Sequence, residues 1–277
     1  MTNAQNGSVL QAQFQRLHRQ ALQARMLLDR PAKAADAVYD LRLALRISRI
    51  LRHFARKDPA YDAFSRVLDL AYRATSPVRD RQVGIARIRL LETGWPRNRR
   101  RPSTGLSQAL RASYPQLGRD MDVLGLPGAL ILMESAIARV ERKVVRAKLI
   151  RRAERHAERL RAVLSTRMET ALARHRMKDW HRLRLAIKHY RFWVDVLAGV
   201  LPKGQVALSR ALKPLQVALG DAHDGEVLMA WLPEIPDAPL DDWRAVLMTQ
   251  KQADLERALA LLSPLMASPG QLADGIS

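Results

Sequence analysis

Two stretches constrain the fold of this chain more than any other feature: Tyr39 to His53, YDLRLALRISRILRH, and His181 to Asp195, HRLRLAIKHYRFWVD. Laid over one another 142 residues apart, they share Leu41/Leu183, Arg42/Arg184, Leu43/Leu185, Ala44/Ala186 and Arg49/Arg191, with Leu45/Ile187 and Arg46/Lys188 as conservative pairs. A match at one fixed offset predicts an internal repeat. At about 100° per residue, Tyr39, Arg42, Arg46, Arg49 and His53 fall on one helical stripe, and so do His181, Arg184, Lys188 and Arg191.

The neighbours of the stripe make it unusual. Leu43, Ile47, Ile50 and Phe54 run along one side of it, and Val38, Leu41 and Leu45 along the other. The second copy has Leu185, Phe192 and Val196 on one side and Trp180, Leu183, Ile187 and Val194 on the other. An ordinary amphipathic helix has one apolar and one polar face. A cationic stripe between two apolar ones predicts a basic groove or cavity walled by packed helices, where a lone Arg-rich helix would read as a solvated face.

Charge points the same way. The chain has 47 Lys+Arg against 27 Asp+Glu, a formal net charge of +20 and a pI near 11.3, so a polyanionic partner is expected. Arginine carries most of that charge, and its planar fork suits phosphoryl oxygens. No cysteine occurs in the sequence, so disulfides, thiolate metal sites and a cysteine nucleophile are excluded. The N-terminus lacks the basic-then-apolar pattern of a secretory signal. The most apolar run, Val123 to Met133, is short and interrupted by Gly125, Pro127 and Gly128, too little for a membrane span. The expectation is a soluble, cytoplasmic protein.

Apolar positions at helical spacing then organise the chain. Leu10, Phe14, Leu17, Ala21 and Leu28 mark a first helix, and the cationic helix follows over about residues 33–56. Tyr61, Phe64, Val67, Leu68 and Ala71 mark the next, and Ser76-Pro77 reads as a cap and first residue of another, over about 77–92. Gly94 to Ser103, holding Arg97, Arg99, Arg100 and Arg101, reads as loop, and the chain as irregular to about residue 128. A helix over 129–148 comes next, with a break near 146–150 where the apolar stripe shifts around the axis. The second cationic helix is expected over 178–199, then a helix over 204–219, a turn at Gly220 to Asp224, a short helix to Trp231 and a last helix to about 263. No run alternates with period two, so the fold is predicted all-α. Its plan is two helical bundles related by internal duplication around a central basic cavity. One domain over 8–265 consists of repeats at about 8–95 and 150–265, joined by a linker and helix over 96–149.

With these residues in view, the chain resembles the conserved histidine α-helical domain family, the CHAD domains. Typical members carry a helix of the form V-H-x-x-R-V-x-x-R-R-x-R in each half. The corresponding residues here are Val38-Tyr39 through Arg42, Leu43, Arg46 and Arg49, then His181 through Arg184, Leu185, Lys188 and Arg191. Each half of the family also carries a short turn ending in R-D or N-D, matched by Ser76-Pro77-Val78-Arg79-Asp80 and by Gly220-Asp221-Ala222-His223-Asp224. The resemblance implies paired helical bundles whose basic cavity binds inorganic polyphosphate, without catalysis, and residence at polyphosphate granules. Its implied contact residues are Tyr39, Arg42, Arg46, Arg49, His53, Arg79, His181, Arg184, Lys188, Arg191 and His223. The first family histidine is Tyr39 here, whose hydroxyl can donate to a phosphate oxygen. Asp80 and Asp224 either cap helices or orient the arginines, and His223 serves as donor or packs.

Other chemistries lack their residues. His181 and His189 are not spaced for a metal, no H-E-x-x-H motif occurs, and Lys203-Gly204 is not a phosphate-binding loop. No carboxylate group suited to magnesium lies near the stripe, so no cofactor and no enzymatic activity are expected. Inorganic polyphosphate is the expected partner, with other polyanions behind it. Non-specific binding of RNA or DNA through net charge is the alternative, and the sequence is silent on oligomeric state.

Overall fold

The computed structural model describes residues 9–93, 95–96 and 101–267, and all regular structure among them is helical. Arg97, Arg99 and Arg100, expected in a loop, lie outside the described residues, as does the tail from Pro269. The chain divides into two compact units, one through Arg146 and one from Ala147.

The first unit contains α1 (Val9–Leu27), α2 (Ala34–Leu51), a 3-10 turn (Arg52–Ala55), α3 (Tyr61–Leu91), α4 (Pro102–Val123) and α5 (Leu126–Lys143). Phe14, Leu41, Leu45, Leu68, Met121 and Leu130 are fully buried and form the centre of its core. Carboxylates satisfy helix starts that would otherwise leave backbone donors open. Glu141 of α5 accepts the N–H groups of Leu10 at 2.9 Å and Gln11 at 3.2 Å, and buried Glu92 accepts that of Ser103 at 2.8 Å. Arg139 forks onto Asp58 with both bonds at 2.8 Å, tying α5 to the segment before α3.

The second unit contains α6 (Arg146–Arg174), α7 (Met177–Val196), α8 (Lys203–Trp231), a 3-10 turn (Leu232–Glu234) and α9 (Leu240–Ala267). Trp193 of α7 donates its indole N–H to the Ala153 carbonyl of α6 at 3.0 Å, and the His156 ring lies 4.2 Å from the Trp193 ring. The break expected near 146–150 lies earlier in the chain, at Val144, whose backbone is extended.

Three expected interruptions are not there. Ser76-Pro77 does not start a helix, because α3 runs through it. The stretch expected to be irregular as far as 128 is mostly α4, and the expected turn at Gly220 to Asp224 lies within α8. In each case the buried stripe keeps its helical period across the breaker. On α3 that stripe is Phe64, Leu68, Ala71, Thr75, Val78, Ile85 and Ile88, while Pro77 itself is exposed. An interior proline costs roughly 3 kcal/mol, and burying two or three such apolar side chains, at roughly 1.5–3 kcal/mol each, outweighs it.

On α4 the period is Ser103, Ser107, Leu110, Tyr114, Leu117 and Met121, and Gly118 has a packing role rather than a turn-forming one. A Cβ at Gly118 would lie 2.7 Å from the Arg25 guanidinium, which bonds Asp122 at 2.9 Å and Asp29 at 2.8 Å. The missing side chain makes room for a clamp between α1 and α4. Gly220 differs, since a Cβ there meets nothing within 4 Å and its backbone is helical.

If α8 is continuous, Gly220→Ala should raise stability by about 0.5–1 kcal/mol, the usual gain from replacing an unstrained helical glycine. Urea unfolding of the two proteins measures this, and a loss of stability would mean a turn at residue 220.

Candidate functional site

In the first unit the stripe on α2 faces α3, and one tyrosine gathers it. The Arg42 and Arg49 guanidinium carbons each lie 4.6 Å from the centre of the Tyr72 ring, and that of Arg46 lies 6.0 Å away. The Tyr72 hydroxyl accepts from Arg42 at 3.4 Å and from Arg46 at 3.3 Å. Arg42 also donates to Thr75 Oγ1 at 2.8 Å and to Ser76 Oγ at 3.0 Å. Both hydroxyls in turn donate to the Tyr72 carbonyl, at 2.7 and 3.4 Å. Ser76, read as a helix cap, thus serves with Thr75 as a cradle for a guanidinium.

Neutral acceptors position Arg42 without cancelling its charge. Burial pushes its pKa below the ordinary arginine value; Tyr72 and Asp80 act against this shift, and the charges of Arg46 and Arg79 add to it. It remains a cation at neutral pH. Further along α2 the charge is compensated: Asp69 of α3 accepts from Arg49 at 2.6 Å and from Arg52 at 2.9 Å. Burial acts to raise the Asp69 carboxyl, but the hydrogen bonds and charges of Arg52 and Arg49 together hold it below its usual range.

Two sequence assignments change here. His53 was expected on the stripe, but α2 ends at Leu51 and the 3-10 turn changes the register. The His53 ring instead lies edge-on to Phe54 at 6.0 Å, and Arg52 takes the place beside Arg49. Arg79 sits on a helix rather than in a turn, with its guanidinium 5.8 Å from the Tyr39 ring, and Tyr39 is 55% exposed. Tyr72, Asp69 and Arg52 were not anticipated, although Tyr72 and Asp69 stand three apart on the expected helix after residue 61.

The second unit groups its residues differently. His181 of α7 and His223 of α8 have ring centres 5.0 Å apart, and Arg184 lies 3.9 Å from Asp224. Burial, reinforced by the charges of Arg184, His181 and Lys188 and opposed by Glu226, pushes His223 down to about 4. It is therefore neutral at pH 7, with one ring nitrogen a donor and the other an acceptor. Arg191 is held by the Ser209 carbonyl at 2.8 Å and by Gln216 Oε1 at 2.9 Å, with Asp195 3.5 Å away. His223 and Asp224, like Arg79, belong to a continuous helix.

The flanks of both stripes share a pattern. On α2, Val38, Leu41 and Leu45 are buried while Leu43, Ile47 and Ile50 are half-buried, and Phe54, expected on the second flank, is buried in the 3-10 turn. On α7, Trp180, Leu183, Ile187 and Val194 are buried while Leu185, Phe192 and Val196 are half-buried. One flank of each belongs to the core, and the other is partly exposed.

A family model for the CHAD domain matches residues 8–233. This chain belongs to the CHAD domain family. The match contains every candidate site residue of both units and ends before α9. The crystal structure of the CHAD domain from the plant Ricinus communis has a similar fold, with a TM-score of 0.66 at 17% identity over 92% of this chain and 90% of that one. No curated protein matches the chain. In this CHAD domain no single described helix is long and apolar enough to cross a membrane.

The position of His223 makes stability depend on pH in a defined direction. An unfolded histidine binds its proton near 6.5 and the folded one only near 4, so the unfolded state is favoured increasingly as pH falls through that interval. Urea unfolding between pH 7 and 4 should show a decline that His223→Gln reduces. Parallel curves for the two proteins would contradict the shift.

Proposed function

We propose that this CHAD domain binds inorganic polyphosphate through the cationic stripes of α2 and α7, and that it acts as a binding protein rather than an enzyme. The observation that carries the reading is Arg42, a half-buried guanidinium positioned by Thr75, Ser76 and Tyr72, all neutral. A guanidinium held by neutral groups keeps its charge for an anion, whereas one forked onto a carboxylate has largely lost it. Arg46 beside it extends the cationic surface of the first unit, and on α7 Lys188 does so in the second with Arg184 and Arg191, each of which has one carboxylate at 3.5–3.9 Å.

Polyphosphate suits such a surface because its charge is dense, regular and free of any base code. Its oxygens accept the paired N–H groups of arginine, and the bound charge relieves repulsion among the guanidinium groups. His223 adds a proton-linked element: burial and, after it, neighbouring cations depress its pKa, and a phosphate chain beside it offsets the part due to the cations. Binding then takes up a proton, and affinity rises as the pH falls from 7 toward 5. The absence of cysteine is compatible with work in the reducing cytoplasm, at polyphosphate granules.

Thermal unfolding at physiological salt with long-chain polyphosphate, heparin and duplex DNA at matched charge tests this reading. A shaped phosphate site gives a large rise in Tm with polyphosphate and small rises with the others. Arg42→Glu combined with Arg184→Glu should weaken polyphosphate binding at least ~10-fold. Equal responses to all three polyanions, with equal losses in the variant, would favour non-specific binding by net charge, the nucleic-acid alternative.

A further inference from the structure

A second cationic feature of the first unit adjoins the cluster around Tyr72. A cavity of about 710 Å³ opens between the start of α2, the middle of α3 and α4. Its walls carry Arg79, Arg89 and Arg111 against one carboxylate, Asp36. Arg49 and Arg52 share Asp69, but none of these three arginines is ion-paired with a described carboxylate. Arg89 donates to Ser107 Oγ at 2.8 Å, a neutral partner that fixes its direction and leaves its charge.

A connected set of polar groups crosses the same wall. Arg79 donates to Gln82 Oε1 at 3.3 Å, and the Gln82 amide donates to the Ala35 carbonyl at 3.0 Å and to the Tyr114 hydroxyl at 3.3 Å. The Tyr114 side chain is buried, and its hydroxyl, already an acceptor, keeps its own proton to donate. Beside these groups the lining has a smaller apolar part, the exposed Ala35 and the edges of the largely buried Ile85 and Leu110.

This combination of three cations with a smaller apolar part offers contacts that a bare phosphate chain would leave unused. It suits a molecule with an anionic end for the arginines and a flat, mainly apolar body, and the volume lies in the range of small-molecule sites. We propose that this groove binds a nucleoside phosphate, with Arg89 and Arg111 holding the phosphate oxygens and Ala35, with the exposed edges of Ile85 and Leu110, contacting the base. Tyr39 and Arg79 line it as well and also belong to the candidate polyphosphate surface, so ligands at the two places would compete for Arg79.

Calorimetric titration of the full chain with ATP, tripolyphosphate and adenosine tests the proposal, with long-chain polyphosphate titrated in parallel. ATP should bind at least ~10-fold more tightly than either part alone. Arg89→Ala with Arg111→Ala, both exposed positions, should weaken ATP at least ~10-fold and change long-chain polyphosphate less than ~3-fold. Ala35→Trp, also exposed, should fill the groove and abolish ATP binding without altering charge, and a thermal melt of each variant verifies folding. No ATP binding at millimolar concentration, tripolyphosphate binding as tightly as ATP, or ATP binding unchanged in both variants would overturn it. The polyphosphate titration is read separately, so loss of that function leaves the outcome for the groove distinct.

Discussion

Repulsion among guanidinium groups is the constraint to which the packing of α2 and α3 answers. Two such groups about 7 Å apart repel by roughly 2 kcal/mol at an effective dielectric near 20. α2 places four of them, Arg42, Arg46, Arg49 and the following Arg52, along the same neighbour helix. The first unit answers this at one end with a carboxylate, Asp69, and at the other with a phenol and two hydroxyls. The difference separates a structural role from a receptive one, because only the uncompensated end still attracts an anion. On α7 a backbone carbonyl, an amide oxygen and the Asp195 carboxylate together hold Arg191, while His223 stays neutral rather than add a further charge.

The same elements depend on helices that tolerate breakers. Pro77, Pro115 and Pro214 all lie inside helices, as does Gly118. Had α3 ended at Ser76, that residue and Thr75 would not both present hydroxyls to Arg42 from one continuous surface. Had α4 been loop, the groove bearing Arg89, Arg111 and Tyr114 would lack a wall. Burial of a regular apolar stripe on one face of each helix outweighs the local cost of the residues that read as stops.

Much of this was legible. The all-helical class followed from periodicity, as did the approximate extents of α1, α2, α7 and α9 and the break before α6. Arg42, Arg46 and Arg49 were identified correctly as sharing a face, since register along one helix is a local property. His53 differs for the same local reason: the helix ends two residues earlier, and His53 lies in a 3-10 turn with its ring edge-on to Phe54. Tyr72, Asp69 and the Thr75–Ser76 pair were hidden because their significance comes from α3 lying beside α2.

The sequence by itself determined the helical class, the charge and the identity of the cationic stripes, because spacing along one helix encodes which residues share a face. Tertiary structure alone decided where those helices continue through proline and glycine and which arginines are compensated. It also brought Arg79, Arg89 and Arg111 around one groove, since each outcome depends on the burial and partners that a packed neighbour supplies.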